Sequence, residues 1–254
     1  MQVAGEIVVV TGAASGIGAA LAREAARRGA GKVIVADRNA DGAMRVADEI
    51  GGIAMPGDVR DPGYLAELVG GTEQHVGPIG LLCCNAGIAS GFELQGSIAS
   101  PSDGIWAAAW EINVLAHVRL ARLALPHMLA RGQGHFLQTL SAAGLLTQSG
   151  SAVYSTTKHA ALGFAESLAI SHGAAGIGVT VLCPQGVATP LLETIPEGPV
   201  QSDGVLTAEE VAIAGLDGVT ANQFMVTPHA QVRRYFRRKA EDYEGWVRAM
   251  RRFV

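Results

Sequence analysis

The sequence predicts a single-domain α/β fold: a doubly wound parallel sheet of about seven strands, flanked by helices on both faces, with an added C-terminal amphipathic helix. Three observations carry this. Short β-branched runs alternate with longer helical patterns along most of the chain, the arrangement that right-handed strand–helix–strand crossovers produce. The strand runs are apolar throughout, as a sheet covered on both faces requires. A glycine-rich turn falls directly between the first strand and the first helix. With 254 residues, 49% of them hydrophobic and 17% charged, the chain can bury one large core. No linker or repeat divides residues 1–254.

Residues 6–10 read as the first strand, 16–28 as an alanine-rich helix, and 32–36 as the second strand. A helix over 39–50 precedes a short third strand at 52–56. Residues 61–76 form the next helix and 79–84 the fourth strand. A long helix, open to a bend, covers 103–131; 135–139 is the fifth strand. A second long helix spans 151–172, followed by strand six at 178–183 and a candidate seventh at 223–226. Residues 189–203, rich in Pro, Gly and Glu, read as a loop of the kind that covers or binds a ligand.

The tail, 228–254, has its own pattern. Val232, Phe236, Ala240, Tyr243, Val247 and Met250 follow one helical stripe, and arginines from Arg233 to Arg252 make the other faces basic. Arginine stems cover apolar surface well, so the preferred reading is a helix packed on its own domain or on a sister subunit. A membrane surface or an acidic partner is the alternative.

Bulk properties narrow the function. A formal net charge of -4 gives no overall positive field to recruit nucleic acid. No apolar run is long enough to span a bilayer, and the first residues lack the pattern of a secretion signal, so a cytoplasmic location is expected. Cys83, Cys84 and Cys183 are odd in number and form no CxxC pair. They read as small buried hydrophobes rather than a disulfide or metal set.

Three features carry chemistry. The turn from Thr11 to Gly18 has the spacing G-x-x-x-G-x-G at Gly12, Gly16 and Gly18. Glycines there let the backbone approach a ligand, and the helix N-terminus offers free N–H groups to a diphosphate. Asp37, just past the second strand, suits the two hydroxyls of an adenosine ribose and repels a 2′-phosphate, which favours NAD over NADP. Arg38 beside it favours the opposite, and a helix-capping role for Asp37 is the plain alternative. Finally, Tyr154 and Lys158 share a helix face four residues apart, with Ser141 on the preceding loop. An ammonium close to a phenol favours the phenolate, which makes the pair suited to proton transfer in alcohol–carbonyl interconversion.

Together these residues resemble the short-chain dehydrogenase/reductase superfamily, over nearly the whole chain to about Thr189. The resemblance rests on the turn from Thr11 to Gly18, the pair Asp58-Val59, the run Asn85-Ala86-Gly87, Asn113, Ser141, and Tyr154 with Lys158. It implies a Rossmann-like fold and an NAD-dependent oxidoreductase. Tyr154 would be the general acid/base, Lys158 would lower its pKa and bind the nicotinamide ribose, Ser141 would hold the substrate oxygen, and Asn113 would hold a water behind Lys158. Cofactor contacts would come from Gly12, Ser15, Gly16, Ile17, Gly18, Asp37, Asp58, Val59, Asn85, Ala86 and Gly87, and from Pro184, Gly186, Val187 and Thr189. The substrate would be a small alcohol or ketone lined by Ser141, Ala143, Leu145, Gln185, Leu191 and Leu192, with Ile88 and Ala142 nearby. A homo-oligomer, dimer or tetramer, would form through the two long helices. A 3-oxoacyl or quinone-type reductase, or a non-catalytic NAD-binding regulator, is the alternative.

The sequence departs from the family pattern in two places. Gln185 stands where a glycine is usual, and it fits either a substrate contact or a water-facing turn. The C-terminal end replaces the usual Asp-Gly-Gly finish with the basic tail. The resemblance implies a substrate pocket built largely from the region after Thr189 and the C-terminus, so these departures fall where specificity would be set.

Overall fold

The computed structural model of the chain describes residues 1–92, 97–195, 201 and 203–253. Strand β1 (Ile7–Thr11) leads into helix α1 (Gly16–Arg27), and β2 (Lys32–Asp37) into α2 (Ala40–Ile50). Next come β3 (Ile53–Pro56), α3 (Pro62–His75) and β4 (Ile79–Cys84). Helices α4 (Asp103–Trp110) and α5 (Ala116–Arg131) are joined by one π-helical turn, Glu111–Leu115. The chain continues through β5 (Gly134–Thr139), a short turn of helix α6 (Ala143–Leu146), the long α7 (Ala152–His172) and β6 (Ile177–Leu182). It ends with α8 (Pro190–Glu193), α9 (Ala208–Thr220), β7 (Met225–Val226), α10 (Ala230–Glu241) and α11 (Tyr243–Met250).

The seven strands form one parallel sheet in the order β3-β2-β1-β4-β5-β6-β7. Alternate residues of each strand feed two cores, because successive side chains point to opposite faces. Val9, Ile34, Leu82 and Phe136 pack beneath α3, α5 and α7. Val8, Val10, Val35 and Leu81 pack beneath α1, α2 and α9. The adjacent Cys83 and Cys84 obey the same rule, one on each face, and all three cysteines are buried and free. The chain reverses its winding direction between β1 and β4. In sheets of this kind a crevice opens there at the strands' C-terminal ends.

Local chemistry explains the element boundaries. Asn39 caps α2 by accepting from Gly42 N, and Asp61 caps α3 by accepting from Gly63 N, with Pro62 at the first helical position. Helix α9 falls in a stretch to which the sequence analysis assigned no element. Its signal is nonetheless local: Thr207 and Glu210 form a reciprocal capping box. This helix packs on α1, and Arg28, which pairs with Glu24 of its own helix, also pairs with Asp217 across the contact.

The tail corrects the expectation of one continuous helix. It breaks at Asp242, whose backbone leaves helical geometry and whose carboxylate accepts from Gly245 N at 2.8 Å to start α11. The break changes the helical phase. Val232 is fully buried, but Tyr243 and Val247 on the expected stripe are 61% and 44% exposed, while Trp246 turns inward. Residues 196–200 and 202 of the expected ligand loop, and Val254, lie outside the described residues. Among the described residues no helix is long and apolar enough to cross a membrane.

Candidate active site

Strand ends and helix starts converge on one cavity of about 1050 Å³. At its first end lies the turn after β1. Gly12 and Gly16 hold positive φ angles of 67° and 53°, where a side chain is strained. A Cβ on Gly18 would run into the Gly12 carbonyl. Thr11 Oγ1 accepts from Asn85 N (3.0 Å) and Ala86 N (3.2 Å), and Asn85 Nδ2 donates to Thr11 O (3.1 Å) and Gly12 O (3.3 Å). These bonds fasten the β1 turn to the loop after β4 across the winding reversal.

Ser15 precedes α1 in extended conformation with no side-chain cap hydrogen bond. The first N–H groups of α1 therefore face the cavity without a protein cap, a cradle that fits a diphosphate. Asp37 is held in place by two backbone donors, Ala14 N to Oδ2 at 3.0 Å and Asn39 N to Oδ1 at 2.8 Å. Both Asp37 and Arg38 line the cavity.

The middle of the cavity holds Ser141, Tyr154 and Lys158. Ser141 follows β5 by two residues, and its Oγ accepts from Ala143 N at 3.1 Å. Tyr154 and Lys158 lie near the start of α7, only 7% and 3% exposed. Lys158 Nζ donates to Thr139 O at 3.1 Å and sits 5.6 Å from the Tyr154 ring centre. Asn113 stands behind them at the centre of the π turn, fully buried. Its Oδ1 accepts from Ile88 N (2.9 Å), and its Nδ2 donates to Ile88 O and to Thr157 Oγ1 (both 3.0 Å). The widened turn thus lets one amide tie the loop after β4 to the residue beside Lys158.

Burial sets the proton affinities of this group. It pushes the Tyr154 phenol up to about 12, with hydrogen bonding from Ser141 acting the other way. It pulls Lys158 down to about 8. Loss of water around the phenolate is the largest influence on Tyr154, and it favours the protonated phenol.

Most of the residues singled out from sequence line this cavity: Gly12, Ser15, Gly16, Ile17, Gly18, Asp37, Asn85, Ala86, Gly87, Ser141, Ala142, Ala143, Tyr154, Lys158, Pro184, Gln185, Val187, Thr189, Leu191 and Leu192. Others do not. Both Asp58 oxygens are taken by the Arg60 guanidinium, at 2.6 to 3.1 Å, and Val59 packs in the core. The Gly186 carbonyl accepts from Leu206 N. Leu145 is 1% exposed and belongs to the core, because the α6 turn sends it inward and presents Leu146 to the cavity instead.

The departures from the family pattern point to the residues after Thr189 and to the tail; which tail residues form the far end comes from the structure. Tyr235, Arg238, Trp246, Met250, Arg252 and Phe253 of the tail line it, with Phe92, Ile195 and Asp203. The tail is stitched to residues 145–149 by Lys239 Nζ to Leu145 O (2.7 Å), Trp246 Nε1 to Leu146 O (3.2 Å) and Ser149 Oγ to Phe253 O (2.9 Å). Asp203 accepts from Gln185 Nε2 (3.2 Å) and Tyr235 OH (3.1 Å), which resolves Gln185 as a cavity residue.

The pattern of short chain dehydrogenases matches residues 6–199. The chain belongs to the short chain dehydrogenase family. Among its relatives, 1-deoxy-11-beta-hydroxypentalenate dehydrogenase of Streptomyces exfoliatus is 34% identical, over 92% of this chain and 86% of that protein. A short chain dehydrogenase/reductase of Burkholderia phymatum in complex with NAD superposes with a TM-score of 0.85 at 26% identity, over 96% of each chain. The 3-ketoacyl-(acyl-carrier-protein) reductase of Brucella melitensis, complexed with NADH, gives a TM-score of 0.82 at 26% identity, over 89% of this chain and 97% of that one. The matched residues of the family stop short of α9 and the whole tail.

Proposed function

We propose that this oxidoreductase is NAD(H)-dependent and interconverts a secondary alcohol and its ketone. The observation that carries the reading is the placement of Ser141, Tyr154 and Lys158 in the same cavity as the α1 cradle and Asp37. The dinucleotide would lie along Gly12, Ser15, Gly16, Ile17 and Gly18, with its adenosine ribose on Asp37 and its nicotinamide end near Asn85, Ala86, Gly87, Pro184, Val187 and Thr189. Bound there, it supplies a hydride acceptor or donor.

In oxidation the C–H electron pair leaves the carbinol carbon as hydride while Tyr154 takes the hydroxyl proton. The products are a ketone, the reduced cofactor and one proton. Ser141 Oγ orients the substrate oxygen. Lys158 supports the phenolate and holds the ribose, and Asn113 keeps the wall behind Lys158 fixed through Ile88 and Thr157. A phenol at about 12 needs further positive charge to ionise near neutral pH, and an oxidised nicotinamide bound in this cavity would supply it. Protonated Tyr154 is already the correct form for ketone reduction. Leu146, Leu191 and Leu192 favour an apolar substrate body.

A panel of secondary alcohols with NAD, and of ketones with NADH, followed at the reduced-nicotinamide absorbance, tests the reading. Tyr154→Phe is expected to lower turnover by about 10²–10⁴-fold with cofactor binding retained. Full activity in that variant would overturn the mechanism.

A further inference from the structure

We infer that the substrate is an apolar molecule bearing a carboxylate, and that Arg238 and Arg252 receive that carboxylate at the tail-built end of the cavity. The inference deepens the alcohol/ketone reading and rests on it for the reaction, though not for the binding.

The far end of the cavity is apolar apart from a few groups. Trp246, Met250 and Phe253 line it, and the same tail places Arg238 and Arg252 on it. Some arginines of the molecule pair with carboxylates, among them Arg23 with Glu49 and Arg131 with Glu73, and others on the surface, such as Arg45 and Arg122, have no ion pair with a described residue. Arg238 and Arg252 have no ion pair with any described residue. Among the described residues the one carboxylate at this end, Asp203, already accepts from Gln185 and Tyr235. Asp37 belongs to the opposite end, held by Ala14 and Asn39.

The two arginines are also held in place by their neighbours. Lys239, next to Arg238, is anchored on Leu145 O, and Phe253, next to Arg252, is anchored on Ser149. Both anchors lie between Ser141 and Tyr154 in the chain. Arg252 Nε also donates to Ala249 O at 3.2 Å, and both arginines line the cavity that holds Ser141 and Tyr154. Both arginines are exposed, so they are open to an incoming anion, and a planar guanidinium matches a carboxylate through paired N–H donors. A substrate spanning the cavity would set its carbinol at Tyr154 and its carboxylate at the tail, which fixes the end that enters first.

The test is a titration of the full chain with decanoate and with decanamide, which share a carbon skeleton and differ in charge, followed by Trp246 fluorescence. Trp246→Phe identifies the signal against Trp106 and Trp110. Decanoate should bind about tenfold tighter than decanamide. In Arg238→Gln/Arg252→Gln the ratio should fall to about one with decanamide affinity unchanged, whereas Arg248→Gln, outside the cavity, should keep it. Equal affinities in the unaltered protein, or a ratio that survives the double substitution, overturns the proposal. Tyr154→Phe should bind decanoate normally, so failure of the redox reading and failure of the anion site give different results.

Discussion

The two ends of the cavity are made of different material. The end at Gly12, Gly18 and Asp37 is built mainly from backbone: a turn, a helix N-terminus and a carboxylate fixed by two amide donors. The end at Leu146, Trp246 and Arg238 is built from side chains brought together from the α6 turn and a tail about a hundred residues later, as the pair Trp246 and Leu146 illustrates. The first end falls within the residues that match the family, 6–199, and the tail falls beyond them. Backbone sites demand particular residues at particular spacings. Side-chain sites demand only size and polarity, so many sequences satisfy them. The common end therefore serves what the family shares, and the tail end is where this protein can differ.

The largest expected effect comes from breaking the backbone end alone. Gly18→Val would drive a side chain into the Gly12 carbonyl and the Asn85 amide. We expect NAD affinity to fall by at least about a hundredfold, roughly 2.8 kcal/mol, in a protein that still binds decanoate normally. Calorimetric titration with NAD and the fluorescence titration measure the two halves separately. Parallel loss of both would mean that the ends are one coupled unit.

The catalytic pair between the ends should show itself in pH dependence. The folded Lys158 sits near 8, below its ordinary 10.5. Between those values the unfolded chain holds a proton that the folded chain lacks, so unfolding free energy rises with pH, by at most about 1.4 kcal/mol per unit. Tyr154 acts oppositely above its ordinary 10.0, because the folded phenol stays protonated to about 12 while the unfolded one ionises. The Lys158 contribution should therefore grow between pH 8 and 10, opposed from about pH 9 by the buried thiols of Cys83, Cys84 and Cys183, which burial pushes above their ordinary 9.0, and from about pH 10 by Tyr154. Denaturation of cofactor-free protein across this range, compared with Lys158→Met, isolates it. A difference that does not grow from pH 8 to 10 would refute the assignment to Lys158.

The same contrast explains what the sequence could reveal. Gly12, Gly16 and Gly18 announce themselves because positive φ and close approach exclude other residues, and the alternating apolar strands announce the sheet. The spacing of Tyr154 and Lys158 was legible because both lie on one helix. Leu145 was placed wrongly because α6 is only one turn, too short for a periodic signal, and one residue of error in a helix rotates a side chain by about 100°. The tail stripe failed for a related reason. Asp242 resets the helical phase through its cap, so Trp246 and not Tyr243 or Val247 turns inward. Asp58 was assigned to the adenine by resemblance, but Arg60, two residues on, takes both of its oxygens.

A smaller effect should follow from loosening the tail. Lys239→Met keeps much of the apolar stem but removes the bond to Leu145 O. Loss of a charged hydrogen bond at this nearly buried site should lower unfolding free energy by about 1.5 kcal/mol and weaken decanoate binding. NAD affinity should stay constant. An equal change in NAD affinity would show that the α6 segment transmits strain to the backbone end and would erase the distinction between the two.

The smallest effect tests the selectivity of the backbone end itself. Asp37 offers two oxygens to Ala14 and Asn39 and still lines the cavity, with Arg38 beside it. A carboxylate there repels a ribose 2′-phosphate, and an arginine attracts one, so preference depends on which group the phosphate meets first. Because backbone donors hold Asp37 on both oxygens while no described ion pair holds Arg38, the fixed charge should prevail and NAD should be preferred. Asp37→Asn removes that charge and keeps one acceptor. It should raise the NADP-to-NAD ratio of kcat/KM by about fivefold, near 1 kcal/mol, without altering decanoate affinity. If the unaltered protein already prefers NADP, the guanidinium of Arg38 decides the cofactor and Asp37 serves the turn alone.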